Sequence, residues 1–372
     1  MKSSGTATLA GSLILAGTMM FVEAARVDGK QSSPRAGMLE QAGWNAIRSG
    51  DFKTATDAFS EAAKLDPKNA MLWLGAGTAE FLLRHDDEAR ARLEHALALD
   101  PKLTRARAQL AQVFKRQGDL TEAIRLYESV AADAPDDAGV RDTLDRWKRE
   151  KDLHDRMRLE IGDHFTVSFE GPEDAAMAAQ ALESLNKAFW RISEVFGTFP
   201  AKSIPVVLYS GQQFSDITRS PQWAAAAFDG IIRVPMRGAG EQGEDLDRVL
   251  AHEFAHALIR SLTTRALPTW LNEGLASVLE SDDLSWATSR VEKLPKLPSL
   301  AMLSGPFGRL SGADAQVAYA ASAVAAKRLL DEAGGAAIAS LLRDLGGGVE
   351  FEAAFLHRIQ KSLADFDASL QQ

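Results

Sequence analysis

The segment Ala251-His252-Glu253-Phe254-Ala255-His256-Ala257 decides how the second half of the chain is organised. Residues four apart lie on one face of an α-helix, so His252 and His256 can direct two imidazole nitrogens at one ion. Glu253 lies beside the first histidine, where a carboxylate reaches a water on the ion without binding the ion itself. No Pro or Gly occurs from residue 244 to 264. The pattern predicts a metal-binding helix; the motif alone leaves open two surface histidines and a glutamate on an amphipathic helix.

A second segment follows after a short turn: Leu267-Pro268-Thr269-Trp270-Leu271-Asn272-Glu273-Gly274-Leu275-Ala276-Ser277. Pro268 favours a helix start, and an antiparallel return of this length brings Glu273 beside the two histidines. Two nitrogens and one carboxylate oxygen, with a fourth position open to water, are typical of a catalytic zinc site rather than a closed structural one. A solvated charge in the first turn of a helix is the other interpretation of Glu273.

Together the two segments resemble the gluzincin metallopeptidases, and in particular the small peptidase MA-like group, from about Ile161 to the C-terminus. The resemblance implies a catalytic Zn²⁺ site with three ligands and one general base: His252, His256 and Glu273 bind the ion, and Glu253 is the base. Larger gluzincins often carry an acidic residue one helical turn after the third ligand, where it orients a histidine. This chain departs from that pattern with Ser277, whose hydroxyl can still hydrogen-bond an imidazole N–H, but more weakly than a carboxylate.

The resemblance also points to residues outside these two segments. Tyr319 lies in a helix that follows the metal-binding helices, and its phenol would stabilise an oxyanion; a buried core tyrosine is the alternative. Residues 230–235 are predicted to be an open sheet edge on which an extended substrate pairs its backbone, or else an ordinary strand.

An α+β domain is predicted over residues 158–372. Strands alternate with helices before the motif, and a helical tail follows it. The predicted strands are residues 164–169, 204–209 and 229–235, and the predicted helices include residues 173–196 and 314–330. The resemblance makes this domain gluzincin-like.

An all-α solenoid is predicted over residues 36–157, because Asp66-Pro67, Asp100-Pro101 and Ala134-Pro135 recur every 34 residues. The units resemble three tetratricopeptide repeats, followed by a charged capping helix over about residues 137–157. Each helical hairpin buries its apolar face only by stacking on its neighbours. The repeats therefore offer a concave groove for a protein partner, or else a rigid spacer.

The N-terminus reads as a targeting segment. Lys2 is the only charge before Glu23, and residues 9–22 are mostly apolar. We predict a signal peptide over residues 1–25 and a polar linker over residues 26–35. The chain is then exported to the periplasm or the cell exterior without stable membrane insertion; an uncleaved membrane anchor is the alternative.

Composition narrows the functions further. The net charge of −9 in 372 residues argues against a nucleic-acid partner. The absence of cysteine removes disulfides, thiol catalysis and cysteine–zinc sites. Three functions fit: a zinc peptidase whose repeats recruit a substrate or partner, a repeat-based interaction protein with a non-catalytic peptidase-like domain, and a zinc hydrolase of non-peptide substrates.

Overall fold

The computed structural model describes residues 33–171, 175–218, 227–228, 230–235, 243–263, 265 and 267–371. These residues form two compact units, the first ending at Asp152 and the second beginning at Leu153. The predicted signal peptide and most of the predicted linker lie outside the described residues. No helix within those ranges is long and apolar enough to cross a membrane.

The first unit is built from helix pairs that recur with the predicted period. Its helices are α1 (Pro34–Ser49), α2 (Phe52–Leu65), α3 (Ala70–Leu82), α4 (Asp86–Leu99), α5 (Thr104–Arg116), α6 (Leu120–Asp133) and α7 (Ala138–His154). α1 begins two residues before the predicted domain boundary at residue 36. α7 occupies the place of the predicted capping helix and ends three residues earlier than expected.

Close helix crossings explain the small residues of the repeats. A Cβ atom added at Gly43 would lie 2.7 Å from the Phe59 ring, and one added at Gly77 would lie 2.7 Å from the Leu93 side chain. Phe59 and Leu93 are fully buried. Glycine at these two positions therefore lets each hairpin close around a large apolar side chain.

The turns within the hairpins share one backbone conformation. Gly50 and Gly118 have φ of 82° and 87°, and Arg84 has φ of 67° at the equivalent position of the middle repeat. Asp51 and Asp119 then cap the following helices by accepting backbone N–H groups at 3.1 and 3.0 Å. Each turn thus combines a left-handed residue with the start of the second helix.

The second unit begins with a small mixed sheet. Within the described residues its strands are β1 (Arg158–Ile161), β2 (Phe165–Phe169), β3 (Ile204–Tyr209), β4 (Ala227–Phe228) and β5 (Ile232–Pro235). Their order is β1-β2-β3-β5-β4. The three inner strands are parallel, and both outer strands are antiparallel to their neighbours.

The substrate edge predicted at residues 230–235 is wrong, because β5 is paired on both sides. Ile232 is opposite Val206 of β3 on one side and opposite Phe228 of β4 on the other. β4 is therefore the last strand on this side of the sheet in the part of the chain that the structure describes. A strand of two residues gives no period-2 pattern, which is why the sequence did not reveal it.

Helices make up the rest of the second unit: α8 (Ala175–Phe196), α9 (Gly211–Thr218), α10 (Gly243–Leu262), α11 (Thr269–Glu280), α12 (Ser285–Val291), α13 (Gly312–Ala333), α14 (Gly335–Gly346), α15 (Phe351–Ile359) and α16 (Leu363–Ser369). α10 packs against α8 and α11, and α11 packs against α13. Phe189, Phe254 and Trp270 are almost fully buried in the shared core. This packing fixes α10 and α11, the two helices that carry the predicted metal ligands.

Candidate metal centre

Two neighbouring helices bring the predicted ligands together. His252 and His256 lie one turn apart on α10, and Glu273 lies in the second turn of α11. A Cβ atom added at Gly274 would lie 2.3 Å from the carbonyl oxygen of Ser322 on α13. Because Gly274, the residue after Glu273, has no side chain, the α11 backbone packs directly against α13. This contact fixes the position of Glu273.

The distances between donor atoms suit one small cation. His252 Nε2 and His256 Nε2 are 3.2 Å apart. Glu273 Oε2 lies 3.9 Å from His252 Nε2 and 3.8 Å from His256 Nε2. Tetrahedral donors at zinc-ligand distances are separated by about 3.3–3.6 Å. All three residues are buried, with 1–4% of their surface exposed. The observed separations differ from this range by about 0.1–0.3 Å, so the three side chains fit three positions of a tetrahedral zinc site.

Glu280, which the sequence reasoning missed, orients the first histidine. Its Oε2 lies 2.7 Å from His252 Nδ1, so His252 Nε2 is turned toward the other two donors. Its Oε1 lies 3.6 Å from Arg248 Nη1. The Ser277 hydroxyl makes no hydrogen bond with any described residue. The contact that orients the histidine, which Ser277 could make only weakly, is made instead by Glu280, two turns after Glu273 on the same helix face.

Asn272 supports the second half of the site. Its amide Nδ2 donates to Glu273 Oε1 at 3.1 Å. Glu273 Oε2 is the oxygen nearest the histidine nitrogens. The amide therefore holds the carboxylate with its other oxygen toward the two imidazoles.

Glu253 is buried beside the ligand cluster without being part of it. The cluster of potential ligands comprises His252, His256 and Glu273. Glu253 Oε2 is buried and has no hydrogen-bond partner among the described residues. Burial raises the pKa of Glu253 to about 8; the charge of His252 opposes this shift, and Glu273 and Glu280 add to it. A carboxyl group with a pKa near neutrality is suited to exchange protons with a substrate.

The two histidines differ in their electrostatics. Burial alone would lower the pKa of His252, but the hydrogen bond and charge of Glu280, with Glu253 and Glu273, raise it to about 9. Burial and the nearby charge of His252 lower the pKa of His256 to about 3, against a hydrogen bond with Asn272. A proton on His252 thus supplies one positive charge beside the carboxylates of Glu253, Glu273 and Glu280.

Tyr319 lies on α13, the helix that packs along α11. Its ring is buried and meets the Phe307 ring edge-on, with centroids 5.1 Å apart. This packing accounts for the aromatic ring, and the catalytic role of the hydroxyl stays a prediction.

Comparison with known proteins identifies the repeats. The family model described as "Tetratricopeptide repeat" matches residues 87–144, from α4 into α7. The chain is 26% identical over 133 residues to small glutamine-rich tetratricopeptide repeat-containing protein 2 of Saccharomyces cerevisiae, covering 36% of this chain and 38% of that protein. It is 33% identical over 92 residues to human DnaJ homolog subfamily C member 7, covering 24% of this chain and 19% of that protein.

Solved structures give matches of similar extent. The first tetratricopeptide domain of Spaghetti (RPAP3), bound to an HSP90 peptide, is 23% identical, with a TM-score of 0.32, and covers 32% of this chain and 95% of that one. MamA is 22% identical, with a TM-score of 0.31, and covers 33% of this chain and 72% of that one. The tetratricopeptide repeats predicted from the 34-residue period are confirmed by the family match. The chain spans less than half the length of the two curated relatives.

Proposed function

We propose that the second unit is a zinc-dependent peptidase of the gluzincin type and that the repeats recruit its substrate or a partner protein. One observation carries the proposal: three buried donors on two helices lie 3.2–3.9 Å apart, with a carboxylate beside them outside the ligand set. Two imidazoles and one carboxylate suit Zn²⁺ better than Ca²⁺ or Mg²⁺, which prefer oxygen ligands.

His252, His256 and Glu273 would hold the ion. When bound, Zn²⁺ supplies a Lewis acid that acidifies water and polarises a carbonyl group. Glu280 and Asn272 keep His252 and Glu273 in the orientation that binding requires.

Glu253 moves the proton. Its buried Oε2 accepts a proton from the water that adds to the substrate carbonyl carbon. The same oxygen then delivers that proton to the amide nitrogen as the carbon–nitrogen bond breaks. The leaving group departs as a neutral amine, and Glu253 returns to its ionised form.

A second function rests on the comparisons. Because the family match falls on residues 87–144, a repeat-based interaction protein with a non-catalytic second unit also accounts for the identified relatives.

A zinc hydrolase of non-peptide substrates is the third candidate. It would use the same ligands and the same base as the peptidase, since activated water attacks any polarised carbonyl group.

The deciding experiment combines elemental analysis with hydrolysis of a peptide library, with and without a chelator. We expect about one zinc per chain and turnover that the chelator abolishes. Glu253→Gln should retain zinc and lose roughly 10²–10⁴-fold in turnover, because the ligands remain and the base is gone. Glu292→Gln, which changes an exposed glutamate outside the site, is the matched control.

Each outcome separates the candidates. Activity near that of the wild type in Glu253→Gln would remove Glu253 from its role. Full zinc occupancy without hydrolysis of any peptide would favour the interaction protein, or, if esters are cleaved, the non-peptide hydrolase.

A further inference from the structure

A cavity of about 260 Å³ lies on the second unit between the sheet and α10. Its walls come from the start of β3 with the residues before it, from β4, and from the second half of α10. The residues that line it include Lys202, Ile204, Pro205, Phe228, Ala257 and Ser261.

The cavity is on the face of α10 that carries Glu253. Ala257 follows Glu253 by four residues, and Ser261 follows Ala257 by four more, so the three positions share one helix face. Four residues of helix advance about 6 Å. An extended peptide advances about 3.3–3.6 Å per residue. Ala257 and Ser261 lie about 6 and 12 Å along α10 from Glu253, so the cavity is about two to four substrate residues away from a bond positioned at Glu253.

The walls of the cavity are mainly apolar. Ile204, Pro205, Phe228 and Ala257 contribute aliphatic and aromatic surface. A cavity of this volume equals about eight or nine waters of bulk liquid, which is ample for the side chain of leucine or phenylalanine. Among its described lining residues the only charge is that of Lys202, and none of them is acidic.

We infer that this cavity is a specificity subsite that accepts a large apolar side chain of a peptide substrate about two to four residues from the cleaved bond. Lys202 disfavours lysine and arginine side chains there, because like charges repel each other and none of the described lining residues is acidic. The inference rests on the proposed peptidase function for its substrate, and on the cavity alone for its chemistry.

The test uses the full chain and peptides that vary one position at a time, over about four positions on each side of the cleaved bond, with Gly, Leu, Phe or Lys. Turnover is measured with the wild type. Binding is measured by fluorescence anisotropy in a Glu253→Gln background, which needs no hydrolysis. At one position we expect Leu and Phe to exceed Gly by about tenfold or more in both measurements.

Three variants address the cavity directly. Ala257→Phe fills it from the buried wall, and Ser261→Phe fills it from an exposed rim position that tolerates a larger side chain. Both should reduce the preference for Leu over Gly to within about twofold. Lys202→Glu, also exposed, should improve binding of the Lys peptide several-fold. Ala353→Phe, an exposed alanine on α15, is the control for adding a phenyl group.

The outcomes distinguish the two proposals. If the wild type cleaves peptides but Ser261→Phe and Ala257→Phe keep its preference, the subsite is rejected and the peptidase stands. If no peptide is cleaved but the Leu preference in binding exists and the filling variants remove it, the subsite stands and the peptidase fails. Equal binding of all four peptides rejects the subsite regardless of turnover.

Discussion

Removing the Glu280 carboxylate should weaken zinc binding although Glu280 is not a ligand. Glu280 Oε2 lies 2.7 Å from His252 Nδ1, and both side chains are about 1% exposed. Without this contact, the imidazole loses the group that turns its Nε2 toward His256 and Glu273. Partners of this kind are worth about 10–100-fold in metal affinity or activity, which corresponds to about 1.4–2.8 kcal/mol.

The size of the loss should depend on the replacement. Glu280→Gln still offers an oxygen to the imidazole N–H but lacks the charge, so we expect a loss near tenfold. Glu280→Ala leaves the N–H of a buried ring without its partner and should approach a hundredfold. Zinc affinity is measured by competition with a chelator of known affinity, and kcat/KM is measured on the same preparations.

Ser277→Ala is the matched control, since its hydroxyl lies one turn after Glu273 and makes no hydrogen bond with a described residue. It should keep zinc affinity within about twofold of the wild type. Wild-type zinc affinity in both Glu280 variants would refute the reasoning. So would a loss in Ser277→Ala equal to that in Glu280→Ala, because the effect would then be general loosening of α11.

Three further predictions concern ligands and backbone. Glu273→Ala should lower zinc content in elemental analysis, and unchanged zinc would reject Glu273 as a ligand. Gly274→Ala places a Cβ atom 2.3 Å from the Ser322 carbonyl oxygen. It should lower the free energy of unfolding by about 1–3 kcal/mol in chemical denaturation and weaken zinc binding. A wild-type unfolding curve would contradict this. Gly118 has φ of 87°, so Gly118→Ala should lower the free energy of unfolding by about 1–2 kcal/mol in chemical denaturation. Gly37 lies in an open helical position of α1, so Gly37→Ala should raise it by about 0.5–1 kcal/mol. Equal effects of the two substitutions would contradict the backbone argument.

Much of the first unit could be predicted from sequence because its determinants are local and repeated. The 34-residue period places the helix pairs, and Gly43 and Gly77 mark the helix crossings. Arg84 is the exception: it adopts the left-handed conformation that glycine adopts in the two neighbouring turns. Composition gave no sign of it, because the hairpin geometry imposes this conformation on the residue.

The second unit was less predictable where tertiary contacts decide. The spacing of His252 and His256 follows from helix geometry alone. β1 was missed because all four of its residues are exposed, so no buried alternation marks it as a strand. Glu280 was not predicted because the family resemblance places the orienting residue one turn after Glu273, at Ser277, whereas Glu280 lies two turns after it. The available signal was its seven-residue spacing, which puts both carboxylates on the same helix face.

Charge balance favours the proposal that this cluster binds a cation over the alternative that it is part of an ordinary core. Glu253, Glu273 and Glu280 are each at most 4% exposed. The basic groups beside them are the two imidazoles and Arg248, whose Nη1 lies 3.6 Å from Glu280 Oε1. A buried carboxylate without a counter-charge is costly, and Glu253 Oε2 has no hydrogen-bond partner among the described residues to offset that cost. Protonating His252 offsets one charge and, in doing so, lowers the pKa of His256. A divalent cation at the three donors would offset two negative charges and leave both imidazoles neutral. It would also stabilise the ionised form of Glu253, whose Oε2 has no hydrogen-bond donor among the described residues. A bound ion would thus offset the cost of burying three carboxylates in an apolar core.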